Sequence, residues 1–253
     1  MVRKAYLQSN LLTFFFKDSF IKNILKLISG VAFSQIISFF SFPMLAFLYS
    51  PTQFGVLGIF MSISSLIIGC VYLRLEYSIV VIKKEVDVVL MTKICLLLGF
   101  FITILSTAIY FVITKFVYGE LFLNKLTLFF FVYLIAESIV KLSCQYLNRK
   151  KYYFYISAVK VINSVSFLFV SFILYYTSFS NYGLIMGVVS ASCVSLIFII
   201  VRFFSYYKLV LSSKLEFSYV KNLIFKYKNF SIYTMPNDFL NTFSRQLPFF
   251  ILP

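Results

Sequence analysis

LISGVAFSQIISFFSFPMLAFLYSPTQFGVLGIFMSISSLIIGCVYL, residues 27–73, contains no charged side chain. An α-helix rises about 1.5 Å per residue, so about 20 residues cross a hydrocarbon layer of about 30 Å, and this stretch is long enough for two crossings. The turn between them is written in YSPTQFG (49–55). Ser50 suits an N-cap, Pro51 the first helical position, and Gln53 stands three residues after the cap, so a second helix starts afresh there. A helix packed in a soluble core needs one apolar stripe, whereas these segments are apolar on every face. Barrel strands would run about ten residues with alternating polarity, a pattern that the continuous apolar runs lack. The stretch therefore predicts membrane-spanning helices.

Uncharged runs recur between Lys93 and Lys115 and between Lys160 and Arg202. The reading extends to six spans, at 27–49 with a kink at Pro43, 54–73, 92–114, 126–147, 153–175 and 182–204. The expected fold is an all-α polytopic membrane protein, a six-helix bundle over 27–204 followed by the start of a seventh helix. Composition agrees, with 61% hydrophobic and 12% charged residues and a mean hydropathy of +0.96. Residues 1–26 place five basic side chains around a short apolar patch with no signal-cleavage pattern, and read as a segment lying along the cytoplasmic interface.

SSKLEFSYVKNLIFKYKNF (212–230) pairs Ser213 with Glu216 as a capping box and spaces Lys214, Lys221 and Lys228 by seven, opposite Phe217, Val220 and Ile224. It reads as an amphipathic helix on the membrane surface within a basic linker, 205–235. TMPND (234–238) then opens a seventh apolar segment from Phe239. Its fifteen residues make about 22 Å of helix, short of a bilayer, so the expectation is a fragment or a truncated gene product.

The formal charge of +15 would suggest nucleic acid in a soluble protein, but here its distribution is what counts. Nineteen of the 23 basic residues fall in 1–26, 74–93, 141–151 and 202–228, which six spans place on one side. Lys115 and Lys125 are the basic residues of the opposite side. That bias puts the N-terminus and the basic loops in the cytoplasm. Many tyrosines, among them Tyr49, Tyr72, Tyr146, Tyr152, Tyr176 and Tyr206, fall near span ends, as expected of headgroup anchors.

A charge inside a span costs a few kcal/mol, which singles out a handful of residues. Glu137 and Lys141 stand at i, i+4 and read either as a packing ion pair or as a coupling-ion site. Lys160 either snorkels to the interface or faces a central cavity. Arg245, with Gln246, Asn241 and Pro248 close by, either lines a polar pathway or hydrogen-bonds between helices, truncation artefacts aside. Arg74 and Glu76 read as an interfacial pair. Gly183 and Gly187 form a small-xxx-small pair that suits close helix approach. The cysteines, Cys70, Cys95, Cys144 and Cys193, have no CxxC spacing and read as small core residues. With no histidine and no P-loop, a His-dependent membrane hydrolase and an ATP-driven pump are both excluded readings; neither metal nor cofactor is expected.

LISGVAFSQIISFFSFPMLAFLYSPTQFGVLGIFMSI (27–63) resembles the opening of bacterial polysaccharide flippases of the Wzx/RfbX type, within the multidrug/oligosaccharidyl-lipid/polysaccharide exporter superfamily. LRLEYSIVV from Leu73, LNRKKYY from Leu147, NYGLIMG from Asn181 and KYKNFSIYTMPNDFLNTFSRQLPFFILP from Lys226 fall in the same order and at similar spacing. The resemblance implies a bacterial inner-membrane protein that carries oligosaccharide repeat units on undecaprenyl pyrophosphate between leaflets, for O-antigen or capsule synthesis. Its fold would be two helix bundles facing each other, of which this chain is the first plus the start of the second, 236–253. The family's cavity cations map onto Lys160 and Arg245. A polysaccharide polymerase or glycosyltransferase is an implied partner. Two other readings stay open: a non-transporting membrane scaffold or truncated remnant, and an exporter of another amphipathic solute.

Overall fold

The computed structural model describes residues 18–118, 120–177, 180–214 and 217–251. Among them the regular structure is helical: α1 (Asp18–Ala46), α2 (Pro51–Cys70), α3 (Glu85–Tyr118), α4 (Glu120–Arg149), α5 (Tyr153–Tyr175), α6 (Gly183–Arg202), α7 (Phe204–Ser212), α8 (Phe217–Asn229) and α9 (Met235–Ile251). Six of these, α1 to α6, are long and apolar enough to cross a membrane, so the chain is a polytopic all-α membrane protein. Most of the N-terminal interfacial segment, the side chain of Lys125 and the Glu216 half of the expected capping box lie outside what the structure describes.

Local chemistry explains the boundaries. Ser50 caps α2 through its hydroxyl to the Gln53 amide, 3.4 Å, while the Gln53 side chain accepts the Ser50 amide at 2.9 Å, with Pro51 at the first helical position. Asn148-Arg149-Lys150-Lys151 turns α4 into α5 with Lys151 left-handed (φ 59°), closed by Tyr152 N–H on the Leu147 carbonyl at 2.9 Å. A π turn, Phe230–Thr234, joins α8 directly to α9, which starts at Met235, within TMPND.

The spans pack in the order α1, α5, α6, α4, α3, with α2 against α4 and α6 and α9 against α2. Small residues set the close contacts, as in lipid, where backbones must approach to gain dispersion energy. A Cβ on Gly187 would lie 2.0 Å from Ser171 Oγ, one on Gly183 2.1 Å from the Tyr49 hydroxyl, and one on Gly30 2.3 Å from Ser157 Cβ. The Gly183/Gly187 reading is thus borne out at the α5–α6 and loop contacts. Ser38 and Ser164 add a 3.0 Å hydrogen bond between α1 and α5.

Apolar side chains gather toward the two ends of the bundle. Tyr49, Leu57, Phe60, Phe130, Leu134 and Leu184 fill one end, and Tyr72, Leu75, Ile79, Met91, Leu142 and Leu223 fill the end that carries the basic loops. Two expectations are corrected here. The apolar face of α8 (Val220, Leu223, Ile224 and Tyr227) packs on this second cluster instead of lying in lipid, because the buried protein surface beneath it is itself apolar. Tyr49 and Tyr72 are buried in the bundle, Tyr49 donating to the Ser171 carbonyl at 2.6 Å, whereas Tyr152 and Tyr176 are exposed as span-end anchors would be.

Candidate functional site

The chain leaves α2 through Leu73 and Arg74, both left-handed (φ 49° and 61°). Two consecutive non-glycine residues in that region are strained, by about 1–3 kcal/mol each. Bonds around the turn offset this: Leu73 N–H to the Cys70 carbonyl at 2.8 Å, Leu75 N–H to Tyr72 at 3.0 Å, and the Ser231 hydroxyl to the Leu73 carbonyl at 2.6 Å. The turn throws Arg74 inward, and the 3-10 turn Leu75–Tyr77 that follows buries Glu76 completely, 0% of its side chain being exposed.

At Glu76 four charges from three stretches of chain meet. Lys141 of α4 sets Nζ 2.9 Å from Glu76 Oε1 and donates to the Ile68 carbonyl of α2 at 2.8 Å. Arg74 Nη1 lies 3.7 Å from the same carboxylate oxygen and donates to the Tyr77 hydroxyl at 2.9 Å. Arg74 Nε faces Asp238 Oδ2 of α9 at 3.1 Å. Two cations and two carboxylates balance, but Glu76 Oε2 has no hydrogen-bond partner among the described residues, and the contacts at Oε1 and at Arg74 Nε are charge contacts rather than directed bonds. Burial pushes the Tyr77 hydroxyl above its ordinary range, with Arg74 pulling it back, so it stays protonated as the acceptor for Arg74.

This arrangement departs from the sequence reading at Lys141. Lys141 bonds Glu76 and not Glu137, which instead accepts the Ser192 hydroxyl of α6 at 2.9 Å. Position i, i+4 put the two within reach, but the buried Glu76 carboxylate and the Ile68 carbonyl of α2 hold the ammonium. Arg74 and Glu76 do pair at the end of the second span, buried at the centre of a cross-element network. Asp238, 164 positions from Arg74, gave no local signal in the sequence.

The remaining candidates form a second region. Gln246 accepts the Ser62 hydroxyl at 2.8 Å, while Asp238 meets Arg74 just past the end of α2, so α9 runs antiparallel to α2. Ser62 is mid-span in α2, which sets Arg245 and Gln246 near the centre of the membrane. On a helix of 100° per residue, Asn237, Asn241 and Arg245 align in one stripe beside the α2-facing edge of Asp238 and Gln246. All three of the stripe are exposed, and Arg245 enters no ion pair among the described residues. Lys160 on α5 is likewise exposed and unpaired among the described residues. The structure therefore joins Arg74, Glu76, Lys141 and Asp238, ties Gln246 to α2, and leaves Lys160, Asn241 and Arg245 open. Among the described residues no three His, Cys, Asp or Glu side chains group as a metal site.

The sequence matches no family model, and no similar protein is found among curated proteins or among solved structures. The class rests on the fold itself: a polytopic helical membrane protein whose architecture is consistent with transport.

Proposed function

We propose that this chain forms one helical bundle of a flippase for lipid-linked oligosaccharides, moving undecaprenyl-pyrophosphate-linked repeat units between leaflets of a bacterial inner membrane. The observation that carries the reading is the open polar stripe of α9. An arginine facing lipid at the bilayer centre costs several kcal/mol, so Asn237, Asn241 and Arg245 require water or further protein beside them. A stripe of amide and guanidinium donors along a water-filled cleft suits an anionic, sugar-bearing headgroup, and Lys160 adds a second cation at depth. The resemblance of the strings from Leu27, Leu147 and Lys226 to Wzx/RfbX-type flippases points the same way. In this reading the basic end is cytoplasmic, and the Arg74–Glu76–Lys141–Asp238 network fastens α9 to the bundle there.

Proteoliposomes made with the protein as expressed in its own membrane test this with a labelled undecaprenyl-pyrophosphate sugar. Movement between leaflets above protein-free liposomes is expected, reduced in Arg245→Ala. No movement from protein of intact helical content overturns the reading.

A further inference from the structure

The basic end contains a concave feature that the flippase reading does not use. A cavity of about 540 Å³ opens between the entry to α3 and one face of α8. Lys83, Lys84 and Asp87 line it from the α3 side, and Tyr219, Asn222 and Lys226 from α8.

Its charges do not balance. Among the described residues, Lys83, Lys84 and Lys226 enter no ion pair, Lys226 lying only over its neighbour's ring, 5.4 Å from the Tyr227 centroid. The acidic residue next in sequence, Glu85, is already held by Arg149 at 3.2 Å and Lys150 at 3.0 Å. Asp87 is buried and accepts the Tyr219 hydroxyl, a bond that also raises Tyr219 above its ordinary pKa. Three ammonium groups thus surround one shielded carboxylate across a space large enough for a headgroup. Lys83 and Lys84 stand directly before the α3 span, Glu85–Ile113, so the cavity sits where hydrocarbon gives way to headgroups. Basic pockets at that level attract anionic lipid headgroups.

We propose that this cavity binds a phosphate group, presented as the headgroup of an anionic membrane lipid and held between the α3 entry and α8 by Lys83, Lys84 and Lys226. The ligand neutralises the lysines across the two walls and holds α8 against the bundle. The proposal stands apart from the flippase reading, since it concerns a different face and needs no transported substrate.

The test uses the full chain purified in a neutral detergent and titrated with dioctanoyl phosphatidylglycerol, dioctanoyl phosphatidylcholine or inorganic phosphate. The glycerol lipid is expected to bind about tenfold or more tighter than the choline lipid. The triple variant Lys83→Gln, Lys84→Gln, Lys226→Gln loses that preference. Lys208→Gln, Lys214→Gln, Lys221→Gln removes equal charge from the same end and keeps affinity within about twofold. Lys83→Arg, Lys84→Arg, Lys226→Arg retains binding, which separates lost charge from lost fold. Displacement of the glycerol lipid by millimolar inorganic phosphate overturns the lipid source in favour of soluble phosphate. Equal losses in the two glutamine variants, or loss in the arginine variant, overturn the site.

Discussion

The basic end and the membrane centre place the same kinds of side chain under the same penalty and resolve it in opposite ways. At the basic end Arg74, Glu76, Lys141 and Asp238 are drawn from distant parts of the chain and buried together. At the centre Arg245, and seven residues into α5 Lys160, stand exposed, with no ion pair among the described residues. A buried charge that finds its counter-charge becomes structure, and its removal disturbs the fold. A charge held open at depth adds nothing to the fold that made it, and such groups in a membrane protein belong to whatever passes or docks beside them. The contrast predicts a separation: substitutions at the first region change stability, and those at the second change activity alone.

The largest effect is expected at Lys141. Lys141→Met leaves the fully buried Glu76 with Arg74 at 3.7 Å as its nearest cation, and breaking one partner of a buried pair costs about 3–5 kcal/mol. Denaturant unfolding in micelles measures it. Adding Glu76→Leu to Lys141→Met recovers much of the loss, because the stranded carboxylate and not the absent lysine is what destabilises. A single-variant loss below about 1 kcal/mol would mean that the network is not what fastens α4 to the turn after α2.

Next in size is the α5–α6 contact, which carries no charge and so calibrates the comparison. Gly187→Ala drives a methyl to within 2.0 Å of Ser171 Oγ, and overpacking of this kind costs about 1–3 kcal/mol. Ser171 Oγ is buried without a hydrogen-bond partner among the described residues, so Ser171→Ala costs little alone and relieves part of the clash in the double variant. Independent losses in the two would break the assignment of this contact.

How much could be read in the sequence follows the same division. The spans were legible because the bilayer imposes a local rule, about 20 uncharged residues, and α5 falls at 153–175 as its flanks predicted. The Ser50–Gln53 capping box and the Gly183/Gly187 approach are also local, fixed by residues within one turn. Pairing was not legible. Glu137 is four residues from Lys141, yet Lys141 reaches Glu76, and nothing near Arg74 announces Asp238. Helical periodicity says which residues share a face of one helix; it is silent on which foreign helix meets that face. The same silence misplaced α8, whose apolar stripe fits lipid and protein equally until the cluster at Leu75, Ile79 and Leu142 is known.

Smaller still is the bond that ties α9 to mid-span. Ser62→Ala removes the hydroxyl that Gln246 accepts, and hydrogen bonds between membrane helices average about 0.6 kcal/mol. Disulfide trapping between Ser62→Cys and Gln246→Cys reports the contact directly. Failure to crosslink while helical content is intact would remove the depth assigned to Arg245.

The smallest stability effect belongs to Arg245 itself, and it discriminates best. Arg245→Gln and Lys160→Gln are each expected to change unfolding free energy by less than about 0.5 kcal/mol, since neither cation has an ion-pair partner among the described residues to strand. On the proposed flippase reading, transport of a pyrophosphate-linked sugar should nevertheless fall by about tenfold in Arg245→Gln, because a mid-membrane anion loses a cation that no described neighbour replaces. Arg245→Lys should restore part of that rate, as charge matters more than the guanidinium fork in a wet cleft. If Arg245→Gln instead destabilises the protein as Lys141→Met does, the arginine is held by partners beyond the described residues. Its role would then be structural, and the two regions would be parts of one scaffold.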